Sequence, residues 1–86
     1  MSMIFTQLPH SIDIMQYLKK LSLYVKKRRR ALGVSLNRFC IESEIDSASL
    51  SKFENQKQQV AISTLVKIAS GFGQTPGEFL TDFEKE

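Results

Sequence analysis

Ser47, Ala48, Ser51, Lys52 and Asn55 bring hydroxyl, methyl, ammonium and carboxamide groups together within nine residues, at spacings that put them along one side of a short helix. Their chemistry is non-covalent. Such groups exchange hydrogen bonds with the edges of a polar ligand, while the alanine methyl allows close approach. Covalent chemistry has little to work with. The single histidine, His10, and the single cysteine, Cys40, lie thirty residues apart, and no glycine-rich phosphate loop is present, so an acid–base or nucleophilic arrangement is not expected. One cysteine and one histidine also leave too few soft ligands for structural zinc and none for an internal disulfide. The closely spaced carboxylates Glu42, Glu44 and Asp46 are accounted for by helix ends. Neither metal nor cofactor is implied.

A polar face needs an apolar one behind it, and Leu50 and Phe53 supply it. Asp46 is a good N-cap for that helix. Before it, Ser35 opens another short helix with Leu36, Phe39 and Cys40 at helical spacing, and a turn through Ser43 and Glu44 follows with Ile45 as its apolar plug. Two short amphipathic helices around a tight polar turn, at 35–55, spell a helix-turn-helix. Cys40 reads as a small buried hydrophobe.

Three further helices must hold this unit. From about Ser11 to Leu32, Ile14, Leu18, Leu21, Val25 and Leu32 form one apolar stripe, and Gly33 supplies the stop. The run Lys26-Lys27-Arg28-Arg29-Arg30 therefore reads as the basic sides of that helix. On the helical wheel Arg28 and Arg29 each lie only about 50° from the stripe's centre, so at least one must find a carboxylate inside. Arg28 is expected to snorkel along the core's edge. A fourth helix is marked by Ile62, Leu65, Val66, Ala69 and Phe72, ending at Gly71 or Gly73; a fifth opens on the capping box Thr75-Pro76-Gly77-Glu78 and carries Phe79, Leu80 and Phe83.

The expected fold is all-α, a compact five-helix domain over residues 13–86 preceded by an N-terminal arm, residues 1–12, whose Met3, Ile4 and Phe5 have no evident place in the core. Eighty-six residues fit one domain that buries roughly 60–65% of the unfolded chain's surface. Net charge is +3 but uneven: residues 1–43 hold eight Lys/Arg against two Asp/Glu, residues 44–86 four against seven. That asymmetry suits a polyanion on one side of the molecule. No apolar run approaches the ~18 residues that span a bilayer, and no secretory leader is legible. A reducing, cytoplasmic setting is expected.

The segment from about Leu21 to Leu80 resembles the lambda-repressor-like helix-turn-helix family, which includes phage repressors, Cro proteins and XRE-type regulators. The resemblance rests on Val25-Lys26-Lys27-Arg28-Arg29-Arg30-Ala31-Leu32-Gly33-Val34-Ser35, on Leu50-Ser51-Lys52-Phe53-Glu54-Asn55, on Leu65-Val66-Lys67-Ile68-Ala69, and on Phe72-Gly73 with Glu78-Phe79-Leu80. It implies that Arg29 and Glu54 form a partly buried ion pair joining the first helix to the recognition helix. It also implies base reading by Ser47, Ala48, Ser51 and Lys52, and phosphate contacts from Ser35, Asn37, Arg38, Asn55 and Lys57. The chain departs from the family where Leu36 replaces a glutamine that donates to phosphate, and where Glu44 and Gln56 replace glycines. Asp46 adds mild repulsion toward phosphate unless capping absorbs its charge.

A protein of this family is expected to be a sequence-specific, homodimeric transcriptional regulator, most simply a repressor, on a near-palindromic operator in the nucleoid. Phage repressor, restriction-modification controller and antitoxin with a toxin partner all fit its size. Phe79 and Phe83 on helix five are expected at the dimer contact, with the N-terminal arm as second choice. The alternative is a protein-interaction module of the same fold that has lost DNA binding, which the substitutions at Leu36, Glu44 and Gln56 favour.

Overall fold

Asp13 starts the first helix in the computed structural model, which describes residues 13–86. Its carboxylate accepts from the backbone N–H groups of Met15 (3.0 Å) and Gln16 (3.3 Å), two donors that the first turn leaves unpaired. Helix α1 then runs Ile14–Ala31, and Gly33, at φ 71°, turns the chain out of it. Helix α2, Leu36–Ser43, is capped by the Ser35 hydroxyl, which accepts from the Arg38 N–H. Helix α3, Ser47–Glu54, is capped by Asp46. Helix α4, Ile62–Gly71, has no side-chain cap. Helix α5, Pro76–Glu84, carries the expected reciprocal capping box between Thr75 and Glu78.

The described residues form five helices and no strand, and the all-α expectation holds. Helix α2 packs on α3 and α4, α4 on α5, and α1 on α3. Val25, Leu50, Ile68 and Phe79 reach complete burial at the centre, with Leu21, Phe39, Phe53 and Leu65 around them. Each such side chain contributes about 1.5–3 kcal/mol when removed from water. Cys40 and Ile45 are buried here as expected. At Gly71 the helices touch: an added Cβ would sit 2.8 Å from the Phe39 ring, so this glycine, inside α4 rather than after it, sets the α2–α4 spacing.

Several expected inward residues face water instead. Ile14 and Leu32, two ends of the α1 stripe, are 65% and 57% exposed, and Ile62 and Val66 on α4 are 75% and 43% exposed. The inward face of α1 is broader and turned toward Tyr17 and Tyr24, because aromatic residues of α5 draw it there: Tyr17 meets Phe83 edge-on at 5.2 Å between centroids, and Tyr24 lies 5.4 Å from Phe79. On α4 the buried set is Leu65, Ile68 and Ala69, with Phe72 packed against it.

Phe79 and Phe83 also differ from expectation. They were expected at a dimer contact, yet they are 0% and 8% exposed inside the core of a single chain. Their rings are already committed to Tyr17, Tyr24 and Phe72. The arm of residues 1–12, with Met3, Ile4, Phe5 and the dimer role considered for it, lies outside the described residues. No helix of the described residues is long and apolar enough to cross a membrane.

Candidate nucleic-acid interface

Helix α3 has a buried edge and a wet one. Leu50 and Phe53 point into the core at 0% and 2% exposure, and Glu54 joins them at 3%. A buried carboxylate needs compensation, and Arg29 of α1 provides it in full: Nε donates to Glu54 Oε2 at 2.9 Å and Nη2 to Oε1 at 2.8 Å. This bidentate fork matches guanidinium to carboxylate geometry. The remaining Nη1 donates to the Val34 carbonyl at 2.9 Å, which ties the α1–α2 connection into the same joint. The Glu54 hydrogen bonds hold the Arg29 pKa above its ordinary value, against the opposing effect of burial. Burial raises the Cys40 thiol pKa, aided by the Glu54 charge, so that sulfur is an inert neighbour of the pair.

The outer edge of α3 is open. Ser47, Ala48 and Lys52 are exposed, and Ser51 is half-buried. Asp46 Oδ2 accepts from the Ser49 N–H at 3.0 Å and the Ser49 hydroxyl at 3.1 Å, so its charge is taken up at the helix start. The turn before it runs through Glu44, which adopts the left-handed conformation at φ 58°, ψ 44°. Gln56, just after α3, does the same at φ 63°. The resemblance implies glycine at both positions, and a side chain there costs on the order of 1 kcal/mol. Leu36, where the resemblance implies a glutamine, packs against the core.

The residues expected near phosphate divide. Ser35, Asn37 and Lys57 are exposed, although the Ser35 oxygen already accepts in its cap. Arg38 donates to Glu42 at 2.9 Å across one helical turn, with side chains 72% and 60% exposed. A pair so open to water holds its members loosely. Asn55 is exposed, but its amide turns back onto α3, donating to the Ser51 carbonyl at 2.9 Å. The i, i+4 spacing of Ser51 and Asn55 carried that possibility; nothing local said which atom would face out.

Arg28 holds a site that the sequence placed only at the core's edge. Its guanidinium lies 4.6 Å above the Phe72 ring centroid, 5.6 Å from Phe79 and 5.7 Å from Tyr24, and donates to Gln74 Oε1 at 2.6 Å. Gln74 in turn donates to Asp82 at 2.7 Å. Gln74 is a partner that no local signal marked.

A short helix clamped on one side by a buried ion pair and exposing small polar groups on the other has the form of the second helix of a helix-turn-helix. The comparisons agree. Residues 25–85 match the family model described as a Cro/C1-type HTH DNA-binding domain. Control protein C.MunI, from a Mycoplasma species, is 34% identical over 61 residues, which covers 71% of this chain and 82% of that protein. Matched order, clamp and open face together place the chain in the Cro/C1-type helix-turn-helix family, as a DNA-binding transcriptional regulator and not an enzyme.

Proposed function

We propose that this regulator acts as a homodimeric repressor that occupies a near-palindromic operator. Residues 13–86 are the DNA-binding unit, with the helix-turn-helix at 35–55. The N-terminal turn of α3 enters the major groove, where Lys52 donates to guanine O6 and N7, Ser47 and Ser51 meet base edges, and Ala48 touches a thymine methyl. Ser35, Asn37, Arg38 and Lys57 approach the flanking phosphates. The single observation that carries the reading is the division of α3, whose Glu54 edge is locked to α1 while Ser47, Ala48 and Lys52 stand in solvent. Pre-set helices of this kind read DNA without reorganising.

Among a phage repressor, a restriction-modification controller and an antitoxin, the resemblance to a protein named a control protein favours the controller. Such a protein would work in the cytoplasm, on the nucleoid. Footprinting the purified protein on DNA upstream of its own gene tests the proposal. Two protected half-sites about one helical turn apart are expected, with log affinity falling steeply against log salt and Lys52→Ala reducing site preference. Binding without salt dependence or site preference would reject it in favour of an interaction module, a reading that the left-handed Glu44 and Gln56 and the inward Leu36 support.

A further inference from the structure

We propose that the groove between α1 and α5 seats the chain's own residues 1–12, with Ile4 and Phe5 as the docking side chains. The groove encloses about 430 Å³, and Tyr17, Leu23, Tyr24 and Phe83 supply its apolar lining. Leu23 stands 46% exposed there, and Tyr17 is only half-buried. An apolar hollow open to water invites cover. Of the charged groups at its rim, three are already engaged: Lys27 pairs with Glu86 at 3.2 Å, and Glu84 accepts from the Tyr17 hydroxyl at 2.8 Å. Lys20, the fourth, is exposed and can keep its ammonium in water above an occupant. The groove therefore asks for an apolar, uncharged occupant.

Residues 1–12 have that chemistry. They carry no Asp, Glu, Lys or Arg, and they set Met3, Ile4 and Phe5 side by side outside any helical stripe. Length permits the docking as well. Phe5 lies eight residues before Asp13, a reach of up to about 26–29 Å at 3.3–3.6 Å per residue. Tyr24 lies eleven residues after Asp13, only about 16 Å along α1 at 1.5 Å per residue. The reach exceeds the need even after a reversal, and Pro9 and Ser11 are residue types that reversals use. A second copy of the chain is the competing occupant, and position argues against it. At ~100° per residue, the groove-lining residues of α1 lie roughly 120–180° round the helix from Arg29, which holds α3. A two-fold contact through the groove would hold the two α3 helices on opposite outer faces of a dimer, unable to share one duplex; this exclusion rests on the operator reading above.

Tyrosine emission tests this in the full chain, because Tyr17 and Tyr24 are its only tyrosines, tryptophan is absent, and both rings line the groove. Acrylamide quenching of the wild type should be independent of protein concentration. Phe5→Ser should lower the docking equilibrium about tenfold and raise quenching, with helix content by circular dichroism unchanged, while Phe5→Leu should keep the protection. Leu23→Ser, at an exposed position of the groove, should match Phe5→Ser, and the double variant should be quenched no more than either single one, since both remove the same contact. Quenching left unchanged by Phe5→Ser, or effects of the two substitutions that simply add, would overturn the proposal. Protection that fades on dilution would assign the groove to a second copy and overturn it too. DNA binding without salt dependence would reject the operator reading alone, since protection by Phe5 that survives dilution would still place residues 1–12 in the groove.

Discussion

Arg29 ties α1 to the α2–α3 half of the molecule through Glu54, whereas Arg28, one residue earlier, ties it to the α4–α5 half through Phe72, Phe79 and Gln74. The first guanidinium is buried and answered by a full negative charge. The second is half-buried and answered by ring faces and a carboxamide, which suffices because water still reaches it. The halves differ in backbone as well: beside α3 the left-handed positions are Glu44 and Gln56, while beside α5 the position is Gly73. The α2–α3 half is thus held by a stiff joint around strained turns, and the α4–α5 half by soft contacts around relaxed ones.

The largest effect should come from breaking the stiff joint. Glu54→Ala leaves Arg29 buried and unpaired and is expected to cost about 3–5 kcal/mol in urea unfolding followed by circular dichroism. Replacing both partners by apolar residues, Arg29→Met with Glu54→Leu, should recover most of that loss. A loss as small as that of Arg28→Ala would erase the contrast between the joints. Arg28→Ala itself should cost about 1–2 kcal/mol, and Arg28→Met less, because the stem's packing is kept.

Relief of strain should be smaller and of opposite sign. Glu44→Gly is expected to gain about 0.5–1 kcal/mol, read as a rise in Tm, since glycine adopts the left-handed turn without a Cβ clash. No gain would mean that the turns of the α2–α3 half are not strained. The smallest effect concerns α1 and α5, where the Tyr17 hydroxyl donates to Glu84 at 2.8 Å. Burial, then that hydrogen bond, pushes its pKa up to about 12 from 10.0. The folded state keeps a proton that the unfolded chain releases near 10.0, so this contribution is whole below pH 10.0 and lost as pH rises through about 12. Melting curves between those values should flatten in Tyr17→Phe; an unchanged slope would show that the contact carries no linkage.

The sites differed in how far they could be read ahead. Arg29 and Glu54 were legible because a helical wheel turned an arginine inward and the family pattern supplied a carboxylate at the right distance along the chain. Arg28 was half legible: its place at the core's edge followed from the wheel, but Gln74, forty-six residues on, carries no charge or spacing that announces a partner. For Phe79 and Phe83 a second copy of the chain and α1 fit the helix pattern equally, because apolar periodicity locates a face without saying what covers it.

Sequence alone determined what is decided within about one helical turn. Asp13, Ser35, Asp46 and Thr75 cap their helices through atoms two or three residues away, and those bonds form wherever the helices go. Only the tertiary structure decided which flank of α1 faces inward, since Tyr17 and Tyr24 are drawn there by rings on α5. It also decided that Phe79 and Phe83 are covered by α1 and that the polar face of α3 is left bare, because burial is settled by which neighbours arrive from far along the chain.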